Sequence, residues 1–223
     1  MPSVIGNKKT KEKCQIFTPK NIASRMLDLS EYTESIVGKK ILENSCGDGE
    51  ILTLIVERYI KECIGYKFKP NKIKKCLERD IYAFEIDFEL VQKCITRLNK
   101  ICSAYDIHDV IWNIQCMDFL SANISCEFDY IVGNPPYIAY PDLPKEVQLF
   151  LKENFQTCKK GKFDYSYAFV EKSYHLLKEN GKLVYIIPSN IFKNVFAETL
   201  RGLIKRDIET IIDFPKDKIV PSQ

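Results

Sequence analysis

The sequence predicts an α/β fold built on a mainly parallel, twisted sheet with helices on both faces. Short apolar runs of strand character alternate with amphipathic segments along the chain, the pattern of strand–helix–strand units. The segments richest in Gly, Asp, Asn and Pro fall at the carboxyl ends of those runs, where open parallel sheets bind ligands. At 223 residues, with 45% hydrophobic and 28% charged side chains, the chain suits one large globular domain.

Residues 1–15 are polar and basic and are expected to form a flexible arm. Thr18-Pro19 opens a helix over Lys20–Leu29 with Ile22, Met26 and Leu29 on one face, Thr18 capping and Pro19 at the first helical position. Lys39–Asn44 reads as the first strand and Glu50–Ile64 as a helix facing inward through Ile51, Leu54, Ile55 and Tyr59. Residues 65–79 read as an exposed connection. Ile81–Ile86 is the second strand, Phe88–Cys102 a helix, Val110–Cys116 the third strand and Tyr130–Val132 the fourth. A long helix is expected over Ser166–Asn180, stopped by Gly181. Lys182–Pro188 follows as the fifth strand, Phe196–Arg206 as a helix and Thr210–Phe214 as a sixth strand. Trp112 is expected in the core, His108 and His175 on the surface, and Asp164 as a cap for the helix from Ser166.

Composition narrows the function. No apolar run reaches the roughly 18–20 residues that span a bilayer, and the N-terminus lacks the order of a signal peptide, so a cytoplasmic protein is expected. The nine cysteines include no C-x2-C pair and only two histidines accompany them, so reduced core thiols are expected and no metal site. A net charge of +3 neither demands nor excludes nucleic acid, and the basic stretches Lys8–Lys13 and Lys67–Arg79 read as solvated faces.

The strand ends carry the chemistry. Cys46-Gly47-Asp48-Gly49 after the first strand allows a tight turn and close backbone approach to a ligand. Glu85-Ile86-Asp87 after the second offers a carboxylate for both hydroxyls of a ribose, with Asp87 also placed to cap the next helix. Asp118-Phe119 after the third pairs an amine acceptor with an apolar wall for a purine. Asn134-Pro135-Pro136-Tyr137 after the fourth sets an amide and a rigid free carbonyl beside an aromatic ring, a grip for a flat heterocycle with an exocyclic amine. The third glycine of a dinucleotide fingerprint is missing and no G-x4-G-K-[ST] occurs, which excludes a phosphate-binding P-loop.

In this order the motifs resemble the S-adenosylmethionine-dependent DNA methyltransferases that modify the N6 amine of adenine, in the group whose cofactor motifs precede NPPY. The resemblance implies a Rossmann-like class I methyltransferase fold over 16–223, with S-adenosyl-L-methionine as cofactor. Phe17-Thr18-Pro19 looks like the N-terminal cofactor motif, and Ile41 to Gly49, with Glu43, Asn44, Cys46, Gly47, Asp48 and Gly49, like the methionine-binding loop. Asn44 departs from the family there, standing where proline is usual. Glu85 and Ile86 match the ribose motif, Asp118 and Phe119 the adenine-side motif, and Asn134, Pro135, Pro136 and Tyr137 the catalytic motif, Asn134 also bordering the cofactor. Lys162–Tyr165 and the segment from Phe169 to Pro188 resemble the block that follows catalysis.

The implied mechanism needs neither metal nor covalent intermediate, because a sulfonium methyl is already activated. The Asn134 side-chain oxygen and the Pro135 carbonyl would accept from the N6 amine of a flipped-out adenine, and Tyr137 would stack on the base. The implied partner is double-stranded DNA containing the target adenine, in a restriction–modification system. The family's last strand and its C-terminal recognition domain are expected outside this chain, on a further segment or a partner subunit. Near Pro221 the family often carries a base-contacting phenylalanine where this chain has Val220; Phe192 and Phe196 are the nearby aromatics.

Other readings stay open. NPPY can grip any flat amide or amine, so the same fold could act on an RNA base or a protein glutamine, although those look-alikes usually carry a separate N-terminal substrate domain. Cytosine-N4 transfer is usually marked by serine in place of Asn134, and cytosine-C5 transfer needs a Pro-Cys pair that this chain lacks. A non-catalytic scaffold is the third reading.

Overall fold

The computed structural model describes residues 18–214; Phe17, the basic arm and the segment with Val220 and Pro221 lie outside them. Five runs rich in aliphatic and aromatic side chains pair as one wholly parallel sheet: β1 (Ile41–Glu43), β2 (Ile81–Glu85), β3 (Asn113–Cys116), β4 (Phe128–Gly133) and β5 (Leu177–Tyr185). Their order is β3-β2-β1-β4-β5. β1 is central and buried on both sides, as befits a covered parallel strand. Between the strands lie α1 (Lys20–Leu29), α2 (Glu50–Gly65), α3 (Pro70–Asp80), α4 (Phe88–Ser103), α5 (Lys145–Asn154), α6 (Ser166–His175) and α7 (Glu198–Ile204). The α/β class read from the sequence is the class observed.

The chain divides into two compact units. One, the sheet unit, comprises the described residues 18–134 and Leu176–Tyr185. Its core is aliphatic, from α1 (Ile22, Met26, Leu27), α2 (Ile51, Leu52, Ile55, Tyr59) and the strands, with Phe84 edge-on to Phe119 and Tyr82 edge-on to Phe128. The other comprises Pro135–His175 and 186–214. There Ala139 and Asp164 form an antiparallel bridge, and Tyr165 N donates to Ile138 O at 2.9 Å. The buried Glu171 carboxylate accepts from Gln156 N at 2.9 Å and Thr157 N at 2.7 Å, which ends the chain's turn after α5.

Several boundaries differ from those read in the sequence, each for a local reason. Residues 65–79 are not a bare connection. Pro70 opens α3, and Ile73, Cys76, Leu77 and Asp80 at helical spacing bury one face while the lysines stay outside. α1 begins at Lys20 with Pro19 as the cap residue and no side-chain cap, so Thr18 does not cap it. Leu29 is exposed and Ala23 and Leu27 take the inner face instead. β3 starts at Asn113; Trp112 before it is half-buried, its indole N–H donating to Asn99 Oδ1 at 2.8 Å, rather than in the core. Helix α5 appears where none is read.

The largest shift is at the helix before β5. It stops at His175, and Leu177 is already paired with Phe128, so the sheet claims residues whose spacing suits a helix. Tyr130 pairs with Lys182, so the intervening residues loop out, with Asn180 left-handed at φ 62°. Gly181 therefore closes this bulge instead of ending the helix. β5 ends at Tyr185, short of Pro188. The segment after Asn194 begins as a 3-10 turn over Val195–Ala197 before α7. Residues 210–214 form no strand; Ile211 there is exposed. Asp164 does cap its helix, Oδ1 accepting from Ser166 N at 2.9 Å, and Asp87 caps α4 through Glu89 N at 2.9 Å. Six of the eight described cysteines are buried, all of them unpaired, and both histidines are exposed.

Behind α3, Asp80 is buried and accepts from Gly38 N at 3.1 Å, from Tyr59 OH and from Arg79 at 2.7 Å. Asp80→Ala strands these donors and is expected to destabilise the fold by about 3–5 kcal/mol. Urea unfolding checks this; a loss under about 1 kcal/mol would mean that water replaces the carboxylate.

Candidate active site

The parallel register brings the carboxyl ends of the strands to one edge: Glu43 faces Ala83, Glu85 faces Cys116, and Gly133 faces Tyr185. Every described residue singled out in the sheet unit lies at or just beyond that edge, except Thr18, which precedes α1.

After β1 the chain turns through the glycine loop. Cys46 N donates to Phe84 O and Gly49 N to Cys46 O, at 2.9 and 2.8 Å. Gly47 and Gly49 are left-handed, at φ 53° and 91°. A Cβ on Gly49 would lie 2.7 Å from Cys94 Sγ, so this turn fits only over glycine. Asp48 is drawn toward α4 by Arg97, at 2.9 Å, and the same guanidinium reaches Glu50 at 2.7 Å.

Glu85 ties the loop to the next strand end. Its Oε2 accepts from Gly47 N and its Oε1 from Asp87 N, both at 2.9 Å. Burial raises its pKa, partly opposed by these N–H bonds. Ile86 offers its carbonyl to Cys116 Sγ at 3.8 Å. Asp118 caps the short 3-10 turn Phe119–Ser121 through Leu120 N at 2.9 Å, and Phe119 is buried as a wall against Phe84.

Glu43 is buried, with Oε2 unmatched by any hydrogen-bond partner among the described residues. Burial holds its pKa well above the usual carboxylate range, and Cys94, Glu85 and Asp48 add to the rise. Beside it, Asn44 donates from Nδ2 to Tyr185 OH. Gly133 lies beneath that pair: a Cβ there would meet Asn44 Oδ1 at 3.1 Å and the Tyr185 ring at 3.2 Å.

Asn134, half-buried, is held at two points. Ser45 Oγ donates to its main-chain carbonyl, and its own Nδ2 donates to Thr18 Oγ1, both at 3.2 Å. The dividing line between the two units falls at the Asn134–Pro135 bond. In the second unit Pro135 is buried, Pro136 and Tyr137 are half-buried, and Tyr137 OH donates to Ile186 O. Phe192 and Phe196, in the same unit, are 46% and 40% exposed.

This donor set suits the cofactor that the resemblance implies. The loop is a cradle that a Cβ would fill, an orphaned carboxyl oxygen lies at its base, and the Glu85 and Asp118 acceptors lie at the adjacent strand ends. Thr18, Glu43, Asn44, Cys46, Gly47, Asp48, Gly49, Glu85, Ile86, Asp118, Phe119 and Asn134 all fall in the sheet unit. Sequence reading passed over Ser45, Tyr185, Cys94 and Arg97. Only the small residue opposite Gly49 had a signal of any kind, because a left-handed glycine over a helix needs a compact neighbour.

Residues 20–220 match the Eco57I restriction-modification methylase family. The chain is 32% identical over 189 residues to the modification methylase CviBIII of Paramecium bursaria Chlorella virus NC1A, covering 84% of this chain and 41% of that one. It is 29% identical over 216 residues to the Type II methyltransferase M.BstVI of Geobacillus stearothermophilus, covering 90% and 38%. The chain thus spans less than half the length of these relatives. Among solved structures, the DrdV–DNA complex superposes with a TM-score of 0.64 at 17% identity, over 90% of this chain and 23% of that one. A protein described as a class I S-adenosylmethionine-dependent methyltransferase from Listeria monocytogenes gives 0.59 at 18%, over 89% and 55%. The fold is that of the class I methyltransferases.

Two outcomes follow for the loop. Gly49→Ala is expected to cost about 1–3 kcal/mol in urea unfolding, and combined with Cys94→Ala to cost less than the sum of the two changes; strict additivity would remove the Cys94 clash as the cause. For Glu43, the unfolded chain releases its proton at a lower pH than the folded one. Its contribution to stability is therefore full below the ordinary carboxylate value and is lost as pH rises toward the raised folded value. Glu43→Gln should flatten that decline, gaining on the wild type between acid and neutral pH, and equal pH slopes would refute a raised Glu43.

Proposed function

The chain belongs to the Eco57I restriction-modification methylase family, and on that premise we propose that it is the catalytic part of a DNA methyltransferase that methylates the N6 amine of adenine. The observation that carries the reading is Asn134, whose side-chain amide is oriented by Thr18 at the end of β4, next in sequence to a proline pair and an anchored tyrosine.

S-Adenosylmethionine supplies an electrophilic methyl group when bound. The glycine loop, Glu43, Glu85 and Asp118 would hold it. Asn134 Oδ1 and the Pro135 carbonyl, which proline keeps out of regular pairing, would accept from the adenine amine. Those bonds favour a more tetrahedral nitrogen with an available lone pair. Tyr137 would stack on a base turned out of the duplex, offsetting a few kcal/mol of unstacking by about 1–3 kcal/mol. Positioning and charge stabilisation of this kind can account for about 7–11 kcal/mol of a barrier.

Selection of the DNA sequence belongs, in this reading, to a recognition domain or partner subunit beyond these residues, and the share of the relatives' length spanned leaves room for one. A cytoplasmic setting and a restriction–modification role go with it. Among the described residues no helix is long and apolar enough to cross a membrane.

Labelled S-adenosylmethionine and adenine-containing duplex are expected to yield N6-methyladenine with the intact protein. Asn134→Ala should cut transfer by about 100-fold or more while cofactor affinity stays near wild type. Label on cytosine, on RNA alone or on protein would replace the substrate, and cofactor binding lost in step with transfer would move Asn134 to the cofactor site.

A further inference from the structure

We infer that Thr18 is a positioning residue that sets which way round the Asn134 amide sits, so that its oxygen is the arm offered to the substrate amine. The inference rests on the adenine-N6 reading above and deepens it. An asparagine amide carries an acceptor and a donor of nearly equal shape, and a half-turn exchanges them without steric consequence. Shape alone therefore cannot make Asn134 an acceptor for an amine; a fixed neighbour has to choose.

The sheet unit supplies that neighbour. Thr18 is buried, and its Oγ1 accepts from Asn134 Nδ2 at 3.2 Å. The main chain cannot shift to evade the choice. Ser45 Oγ holds the Asn134 carbonyl at 3.2 Å, and Gly133 just before it is confined between Asn44 and the Tyr185 ring. With Nδ2 turned to Thr18, Oδ1 is the remaining arm. The reversed amide would set two donors against each other at the substrate, losing one hydrogen bond and stranding a polar group. Thr18 thereby does more than border a cofactor, the role its motif suggests.

Thr18→Val keeps the shape and removes the acceptor; Thr18→Ser keeps the acceptor. Three readouts decide: methyl transfer to adenine-containing duplex, cofactor affinity by calorimetry, and the Asn134 side-chain amide signals by nitrogen-15 NMR, assigned by their loss in Asn134→Asp. The expected result is a kcat lower by about tenfold or more in Thr18→Val, cofactor Kd within about twofold, shifted amide signals, and recovery of all three in Thr18→Ser. Cofactor affinity falling in step with kcat would make Thr18 a cofactor ligand and overturn the proposal, as would amide signals indifferent to Thr18→Val. If the wild type methylates no DNA, the adenine reading falls, while the NMR and affinity arms still decide whether Thr18 orients Asn134.

Discussion

The placement of β1 between β2 and β4 is the constraint on which the site depends. Three residues of β1 pair on one side from Ile41 with Ile81 and on the other from Ile41 with Tyr130. Parallel pairing sends all the strand ends the same way, so the glycine loop after β1 emerges between the turn after β2 and the motif after β4. That is why Glu85 can reach Gly47 and Ser45 can reach Asn134 without any long excursion of the chain. A slip of one residue in β1 would turn each side chain to the opposite face and undo both bonds at once.

Burial at that edge is costly, and the structure shows how the cost is met. Glu43 and Glu85 lie near each other with Asp48, and two like charges in a dry site cannot both be held cheaply. Glu85 is compensated by main-chain N–H groups from its own turn and from the glycine loop. Glu43 is deeper and has an oxygen left over, so its proton stays on to higher pH. The acidic pair is thereby split into one ionised tether and one neutral plug. Arg97, bonded to Asp48 and Glu50, draws the remaining acids outward toward α4.

What the sequence discloses follows from the range of the forces involved. The alternation of strands and helices, the left-handed glycines and the caps at Asp87 and Asp164 are local, and they are legible because a few neighbouring residues decide them. Where tertiary pairing overrides local preference, reading by periodicity fails. Leu177 continues a helical stripe yet pairs with Phe128, and Ile73, Cys76 and Leu77 form a helix face that a lysine-rich surround conceals. In the site, the residue types at strand ends are visible, but the bonds that join them are not. Thr18 and Asn134 are 116 positions apart, and nothing short of the fold announces that they meet.

Asn44 shows what such long-range bonds accomplish. The family usually has proline at this position, which fixes the backbone by its ring and gives up an N–H. Asparagine cannot do that through its own covalent structure. Here its side chain instead spans to Tyr185 at the end of β5, over the space left by Gly133 on β4. One hydrogen bond thus links the ends of β1 and β5 across the strand that carries Asn134. The rigidity lost with the proline is recovered by tertiary bonding, and it depends on Gly133 having no side chain. The substitution is therefore legible as part of a three-residue device. Proline at 44, tyrosine at 185 and a glycine at 133 would leave the tyrosine hydroxyl without this partner, so the three positions should tolerate change together better than singly.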